Sequence, residues 1–329
     1  MKYDLIAVGD STIDAFVPLL LAETKTKIQG QKKTQMLCME YGTKIPIERI
    51  TNLPAGNAHN VAVGAGRLGL KVAFHSVVGN DLNGHIIREN LKTNKVKTKF
   101  LQTDPKLKTN YHVVLEWKGE RSILIFHEPY QYQAKKYKTK WLYFSSVGAS
   151  GVVKVGEQII RYLDANPSVK LAFNPGTFQM ALGKQKLAPL FNRCEILFVN
   201  REEAQKILDF STKSNKKLLD ALKDLGPNIV VMTDGPKGSY CYDGVKYWYA
   251  GIVDTPVVDR TGCGDCYAMT FVAARQKGRD VAEAMRWGTI NASYKIGALG
   301  PQTALLKRGE FRKRLKQWKE FHASEYTRG

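Results

Sequence analysis

The sequence predicts an α/β protein with an open, mainly parallel sheet, helices on both sides, and a small β-rich flap. Short apolar runs of β-type residues alternate with helical patterns over most of the 329 residues. That order argues for parallel strands joined by crossover helices. Several of the runs are apolar almost without interruption, as strands covered on both faces must be. Two segments break the alternation, and both read as β-rich.

Taken along the chain, the strand runs are Leu5–Val8, Val72–Val77, Trp141–Ser146, Lys170–Asn174, Ile196–Val199 and Ile229–Thr233. Helical periodicity covers Ala58–Leu68, Gly84–Lys92, Val152–Leu163, Glu202–Leu208 and Lys216–Leu225. Residues 12–52 lack it and contain a polar stretch, Glu23–Gln35, that is expected to be flexible. Residues 109–126 alternate, with a Lys118-Gly119 turn between Tyr111–Trp117 and Arg121–Phe126, which is a hairpin signal. In Lys307–Phe321 the apolar positions Phe311, Leu315, Trp318 and Phe321 recur at helical spacing, so a core-facing terminal helix is expected.

A hydrophobic fraction of 43% is ordinary for a chain that buries a real core. No apolar run approaches the roughly 20 residues of a membrane span. The chain opens on Tyr3–Val8 without a charged-then-apolar leader, so a cytoplasmic protein is expected. Its cysteines, Cys38, Cys194, Cys241, Cys263 and Cys266, are odd in number and scattered, which is no disulfide framework. The spacing of Cys263 and Cys266 is thioredoxin-like, but the pair sits inside a Gly-Asp motif. The formal charge of +20 favours anionic ligands and permits nonspecific nucleic-acid contact. Basic residues gather at Lys92–Lys108, Lys135–Lys140 and Lys307–Lys319, without the interleaved aromatics of a single-strand platform. Solvated faces are the better reading.

The most informative stretch is Asp259-Arg-Thr-Gly-Cys-Gly-Asp265, followed by a helical run, Cys266–Gln276. Glycines just before a helix let backbone amides converge on an anion, and the helix dipole supports the same charge. A carboxylate there could simply cap the helix. After a Gly-x-Gly cradle it is also placed to take a proton from a hydroxyl attacking phosphorus. A thiol at the same helix end, Cys263, is expected to have a lowered pKa. The second stretch is Ala55-Gly-Asn-Ala-His-Asn60, where a glycine allows close approach and two asparagines suit hydroxyl groups. Alone it reads as a turn and cap.

Two further patterns lack the context their chemistry needs. Gly64-Ala-Gly-Arg-Leu-Gly69 spells a dinucleotide fingerprint but follows a helical run rather than a strand. His59, His75, His85, His112 and His127 lack metal-ligand spacing. Of these only His59 is a candidate to face a ligand; the others read as packed or surface histidines. There is no Walker-type Gly-x-x-x-x-Gly-Lys-Ser/Thr.

At these stretches together the chain resembles the ribokinase-like (PfkB) family of carbohydrate and nucleoside kinases. Ala55, Gly56, Asn60, Ala62, Gly69 and Gly79 match its N-terminal signature, and Asp259–Asp265 its C-terminal one, with Arg260 and Cys263 as departures. Asn200-Arg-Glu-Glu203 and Thr233-Asp-Gly-Pro-Lys-Gly238 match two intermediate motifs, in order.

The resemblance implies a three-layer sandwich with a β-lid at 12–52 and 109–131, and a catalytic core at 1–11, 53–108 and 132–329. It implies an ATP- and Mg²⁺-dependent kinase acting on a hydroxyl of a furanose-like sugar, or alternatively of a nucleoside. Asp265 would be the catalytic base, and the amides of Gly262, Cys263 and Gly264 the anion hole. Asn200 and Glu203 would hold the Mg²⁺–phosphate water network. Thr233, Gly235, Gly238 and Asn291 would contact the nucleotide. Asp14, Gly56, Asn57 and Asn60 would grip the acceptor. Asp259 and the Gly297 loop match a monovalent-cation (K⁺) site found in some members, and lids in the family often pair subunits as homodimers. Arg260 would alter only the outer face of its loop, while Cys266, Tyr267 and Met269 would narrow the site. A rival of another class is a nucleic-acid-binding protein on a retired kinase scaffold, motivated by the charge.

Overall fold

The computed structural model describes residues 2–29 and 32–327. Ten strands form the main sheet. In spatial order they are Ser324–Glu325, Tyr247–Ala250, Ser239–Tyr242, Ile229–Thr233, Cys194–Asn200, Lys170–Phe173, Thr139–Phe144, Tyr3–Val8, Val72–Gly79 and Lys97–Asp104. The seven from Ile229–Thr233 to Lys97–Asp104 pair in parallel; the other three extend one edge antiparallel.

The side-chain alternation of a strand feeds two cores. Leu5 and Ala7 point into one, beside the helices Asn57–Arg67, Cys263–Gln276 and Val281–Lys295. Ile6 and Val8 point into the other, beside Val152–Asp164, Lys184–Asn192, Arg201–Leu208 and Asn215–Lys223. Burial on both faces explains why these strands read as nearly continuous apolar runs.

A second sheet has the order Thr51–Ala55, Thr12–Pro18, Tyr111–Trp117, Glu120–Phe126. Its first strand carries Pro54 and lies at an edge, where a missing N–H is tolerated. The hairpin between its last two strands turns on Lys118 (φ 50°) and Gly119 (φ 80°), two positive φ values that suit the strand twist. The sheet is mixed, because Thr12–Pro18 and Tyr111–Trp117 run parallel.

Three sequence expectations need correction. Glu23–Gln29 and Lys32–Cys38 form an antiparallel hairpin where flexibility was expected. Its described side chains are largely exposed, so neither face carries an apolar signal, although Thr24, Thr26 and Thr34 are β-branched. Lys97–Asp104 and the antiparallel pair Ser239–Tyr242 and Tyr247–Ala250 were not foreseen, being short or partly exposed near sheet edges. The terminal helix ends at Gln317, and of its apolar positions only Phe311 is fully buried. Leu315, Trp318 and Phe321 pack against the core while partly exposed. Among the described residues no helix is long and apolar enough to cross a membrane.

Candidate active site

A cleft of about 760 Å³ opens at the carboxyl ends of the parallel strands, where Ser146, Asn174, Asn200 and Thr233 line it. The second sheet covers it with Asp14, His112, Arg121, Ile123 and Ile125. Ligands of open α/β sheets bind at this edge, and the size suits small molecules.

At the floor, Gly262 (φ 73°) ends the Asp259 loop and starts the helix Cys263–Gln276. A Cβ there would lie 2.8 Å from Pro301 Cβ, so the turn needs glycine. The Cys263 N–H donates to Arg260 O (3.1 Å), and the Cys266 N–H to Gly262 O (3.0 Å). The amides of Gly262, Gly264 and Asp265 have no hydrogen-bond acceptor among the described residues. Of the three amides expected in an anion hole, that of Cys263 is thus taken up within the turn, and the amide of Asp265 lies free beside those of Gly262 and Gly264. The cradle is the ordinary set of unpaired helix N-terminal donors.

Asp265 is buried at this helix end and takes a 2.8 Å hydrogen bond at Oδ2 from Asn60 Nδ2. Gln302 Nε2 fixes Asn60 by donating to its Oδ1 at 3.0 Å. Burial pushes the Asp265 carboxyl up to about 7; the Asn60 bond opposes this, and the charge of Glu203 adds to it. Burial also raises the Cys263 thiol, against the lowered value expected from its helix position. Cys266 is buried and its thiol is raised in the same direction, so neither thiol is favoured as a thiolate.

Asn200 and Glu203 line the cleft and form a capping box: Asn200 Oδ1 accepts from Glu203 N, and Glu203 Oε2 from Asn200 N, both at 2.8 Å. Burial pushes the Glu203 carboxyl up. Thr233, Gly235 and Gly238 line one end together with Val253, Thr289 and Ser293. Asn291 does not join them. Successive helical residues are about 100° apart; Thr289, Ala292, Ser293 and Ile296 face the cleft, while Asn291 is buried and bonds Thr270 Oγ1 at 2.7 Å.

The other end holds Asp14, Gly56, Asn57 and Asn60. Gly56 (φ 110°) brings the chain against Asp10, whose carbonyl O a Cβ would meet at 2.6 Å. Two histidines that looked ordinary in the sequence also lie here. His127 Nδ1 is 2.6 Å from Asp10 Oδ2, the His112 and His127 Nε2 atoms are 3.2 Å apart, and His112 Nδ1 is 3.2 Å from Asp14 Oδ1. The last pair is poorly aligned, which leaves the buried Asp14 Oδ1 without a hydrogen-bond partner. His59, by contrast, is fully buried between Ser11 Oγ (2.7 Å) and Asn90 Oδ1 (2.9 Å), away from the cleft. Their roles could not be exchanged on sequence alone, because nothing local separates these histidines. Arg260 lines the cleft rather than an outer face, as does Tyr267, while Cys266 and Met269 are buried behind it.

Asp259 does not line the cleft. Its Oδ1 accepts from the Thr261 amide (2.8 Å) and hydroxyl (2.7 Å), and its Oδ2 from the Gly300 amide (2.8 Å). Lys295 Nζ donates to its carbonyl O at 3.0 Å and lies 4.0 Å from Oδ2. A protein ammonium thus stands where a monovalent cation was expected, and these residues do not fit K⁺.

The arrangement is that of a phosphotransferase with an alcohol acceptor, on a ribokinase-type fold. The chain superposes on Arabidopsis thaliana ribokinase complexed with ribose and ATP with a TM-score of 0.79 at 20% identity, over 96% of this chain and 99% of that one. For the nucleoside kinase of Methanocaldococcus jannaschii the TM-score is 0.75 at 20% identity, covering 96% and 100%. The chain belongs to the pfkB family of carbohydrate kinases, whose profile, "pfkB family carbohydrate kinase", matches residues 25–308. Among relatives in sequence, a nucleoside kinase of Methanothermobacter thermautotrophicus is 27% identical over 85% of this chain and 90% of its own. A 5-dehydro-2-deoxygluconokinase of Bacillus anthracis is 26% identical over 94% and 93%.

Proposed function

We propose that this kinase moves the γ-phosphoryl group of ATP onto a hydroxyl of a furanose-like sugar, with Asp265 as the base. The observation that carries the assignment is one buried carboxylate, tuned to about 7, beside unpaired amides at a helix N-terminus. The amides receive the transferring group, and Asp265 takes the proton of the attacking hydroxyl. The unpartnered Asp14 Oδ1 accepts a second hydroxyl of the acceptor and so fixes its orientation. Thr233, Gly235 and Gly238 cradle the nucleotide at the other end of the cleft.

The donor set fits Mg²⁺ carried in with the nucleotide. Among the described residues no group of three His, Cys, Asp or Glu could cage a metal, whereas Glu203 offers a carboxylate to a hydrated ion. When bound, Mg²⁺ neutralises charge on the phosphates. Arg260 and Arg121 add positive charge from the protein.

A nucleoside is the second reading. Phe178, Ile123 and Ile125 form an apolar wall at the acceptor end, which suits a base better than a bare sugar does. A screen of free sugars against nucleosides, read as ADP formed, separates the two. Turnover with neither class, together with sequence-selective oligonucleotide binding that persists at physiological salt, would replace the kinase reading with the nucleic-acid one. The exposed edge strand Glu120–Phe126, with Leu124 and Phe126 at the surface on the face turned away from the cleft, supports a homodimer through the lid. Five free cysteines suit the cytoplasm.

The raised Asp265 pKa gives a pH signature. A base must be ionised, so kcat/KM climbs about tenfold per pH unit below about 7 and levels above it. Asn60→Ala removes a bond that favours the ionised form, so its inflection moves to higher pH. A profile flat from pH 5.5 to 8 in the parent enzyme refutes the assignment.

A further inference from the structure

We propose that Lys295 is the resident cation of the Asp259 loop, so that this kinase works without any free monovalent cation. The inference rests on the kinase reading above, and it concerns a residue that no motif singles out. Lys295 is the last residue of the helix Val281–Lys295 and is 0% exposed, among the largest fully buried side chains of the protein.

Its ammonium carries three donors, yet the described protein atoms accept only one of them, at Asp259 O. A buried charge so thinly paired is a poor device for stability, because an apolar side chain of similar volume would cost less to bury. Its position gives it another use. The Asp259 loop is tied to the same helix end twice, as the Val258 and Asp259 amides donate to Ile296 O at 2.8 and 3.1 Å. The Asp259 carboxylate then organises the turn through Thr261 and Gly300. Three residues on, that turn presents the unpaired amides of the anion cradle. Carbonyl and carboxylate oxygens brought together like this are ligands for a hard cation. Here Lys Nζ lies among them, and a second positive charge would meet its repulsion. A helix C-terminus also favours a cation, so the ammonium is supported from behind by the carbonyl ends of its own helix.

The field of Lys295 extends past the loop. It favours the ionised forms of Asp265 and Cys263. Burial pulls Lys295 below its ordinary value, and Asp259 opposes that. Lys295 touches no reacting atom. It is a positioning residue.

The test uses the full chain with the best acceptor from the screen, ATP as its Tris salt and MgCl₂. Rates are read directly as ADP, at constant ionic strength in potassium, sodium or tetramethylammonium chloride. For the parent enzyme, kcat is expected to agree within about twofold across the three salts. Stimulation by K⁺ of about tenfold or more overturns the proposal. Lys295→Met is expected to lose about 10- to 100-fold in kcat with little change in KM for the acceptor. Potassium should restore part of that loss and tetramethylammonium none, a rescue that a purely structural lysine would not show. A Met variant with unchanged kcat, or one equally insensitive to all three salts, also overturns it.

Melting curves keep the two readings apart. If no acceptor is phosphorylated in any salt, the kinase reading fails on its own. The cation proposal is then decided by whether K⁺, against tetramethylammonium, raises the melting temperature of Lys295→Met but not of the parent. If the Met variant does not fold, the salt series on the parent enzyme still decides, since K⁺ activation there has no place in the proposal.

Discussion

Asp265→Asn is expected to lower kcat by about 10²–10⁴-fold, with KM for ATP nearly unchanged. Asn keeps the shape and can still face Asn60, but it cannot take a proton. A second readout guards against misfolding. The Asp265 carboxyl is raised from 3.8 to about 7 by burial, so the folded chain holds this proton more tightly than the unfolded chain does. Where the folded state binds more protons, stability falls as pH rises, here between about pH 4 and 7. The neutral Asn escapes that penalty. Its melting temperature should therefore exceed that of the parent by a few degrees at pH 8, and the gap should close by pH 4. Near-parental turnover in the Asn variant removes Asp265 from the chemistry. A variant both inactive and less stable at pH 8 points to damage instead.

The sequence was most readable where one physical signal acts alone. Strands such as Ile229–Thr233 are buried on both faces, so composition by itself announces them. The turn into the helix Cys263–Gln276 was readable because glycine takes the positive φ it needs, as Gly262 does. Readability failed where two surfaces share a residue. Lys97–Asp104 edges the sheet with exposed lysines, and the paired strands Glu23–Gln29 and Lys32–Cys38 show mostly polar side chains on both faces. At the site, helical phase turned Asn291 inward although its neighbours Ala292 and Ser293 reach the cleft. His112 and His127 were missed for a different reason. Each matters only through the other and through Asp10 and Asp14, and those four meet across strand pairings that no local window contains. Lys295 is the extreme case, an unremarkable basic residue at a helix end until the fold buries it.

Gly262→Ala is expected to cost about 10²–10³-fold in kcat, the usual worth of losing a preorganised donor at a developing anion. Two independent features force this. Gly262 has φ 73°, where an L side chain is strained, and its added Cβ would lie 2.8 Å from Pro301 Cβ and 3.0 Å from Pro301 O. The turn must then move, and it carries the unpaired amides of Gly262, Gly264 and Asp265 with it. Gly264→Ala is the control. It changes the same cradle at a position where a Cβ meets nothing within 4 Å and the φ is not left-handed. The backbone there stays in place, so its kcat should stay within about tenfold of the parent. Gly264→Ala should retain the pH inflection near 7, because it leaves the backbone of Asp265 and the Asn60–Asp265 bond in place. Equal losses in the two would show that side-chain bulk in the cleft, rather than the geometry of the turn, sets the rate. A large loss confined to Gly262→Ala ties catalysis to where these backbone amides point.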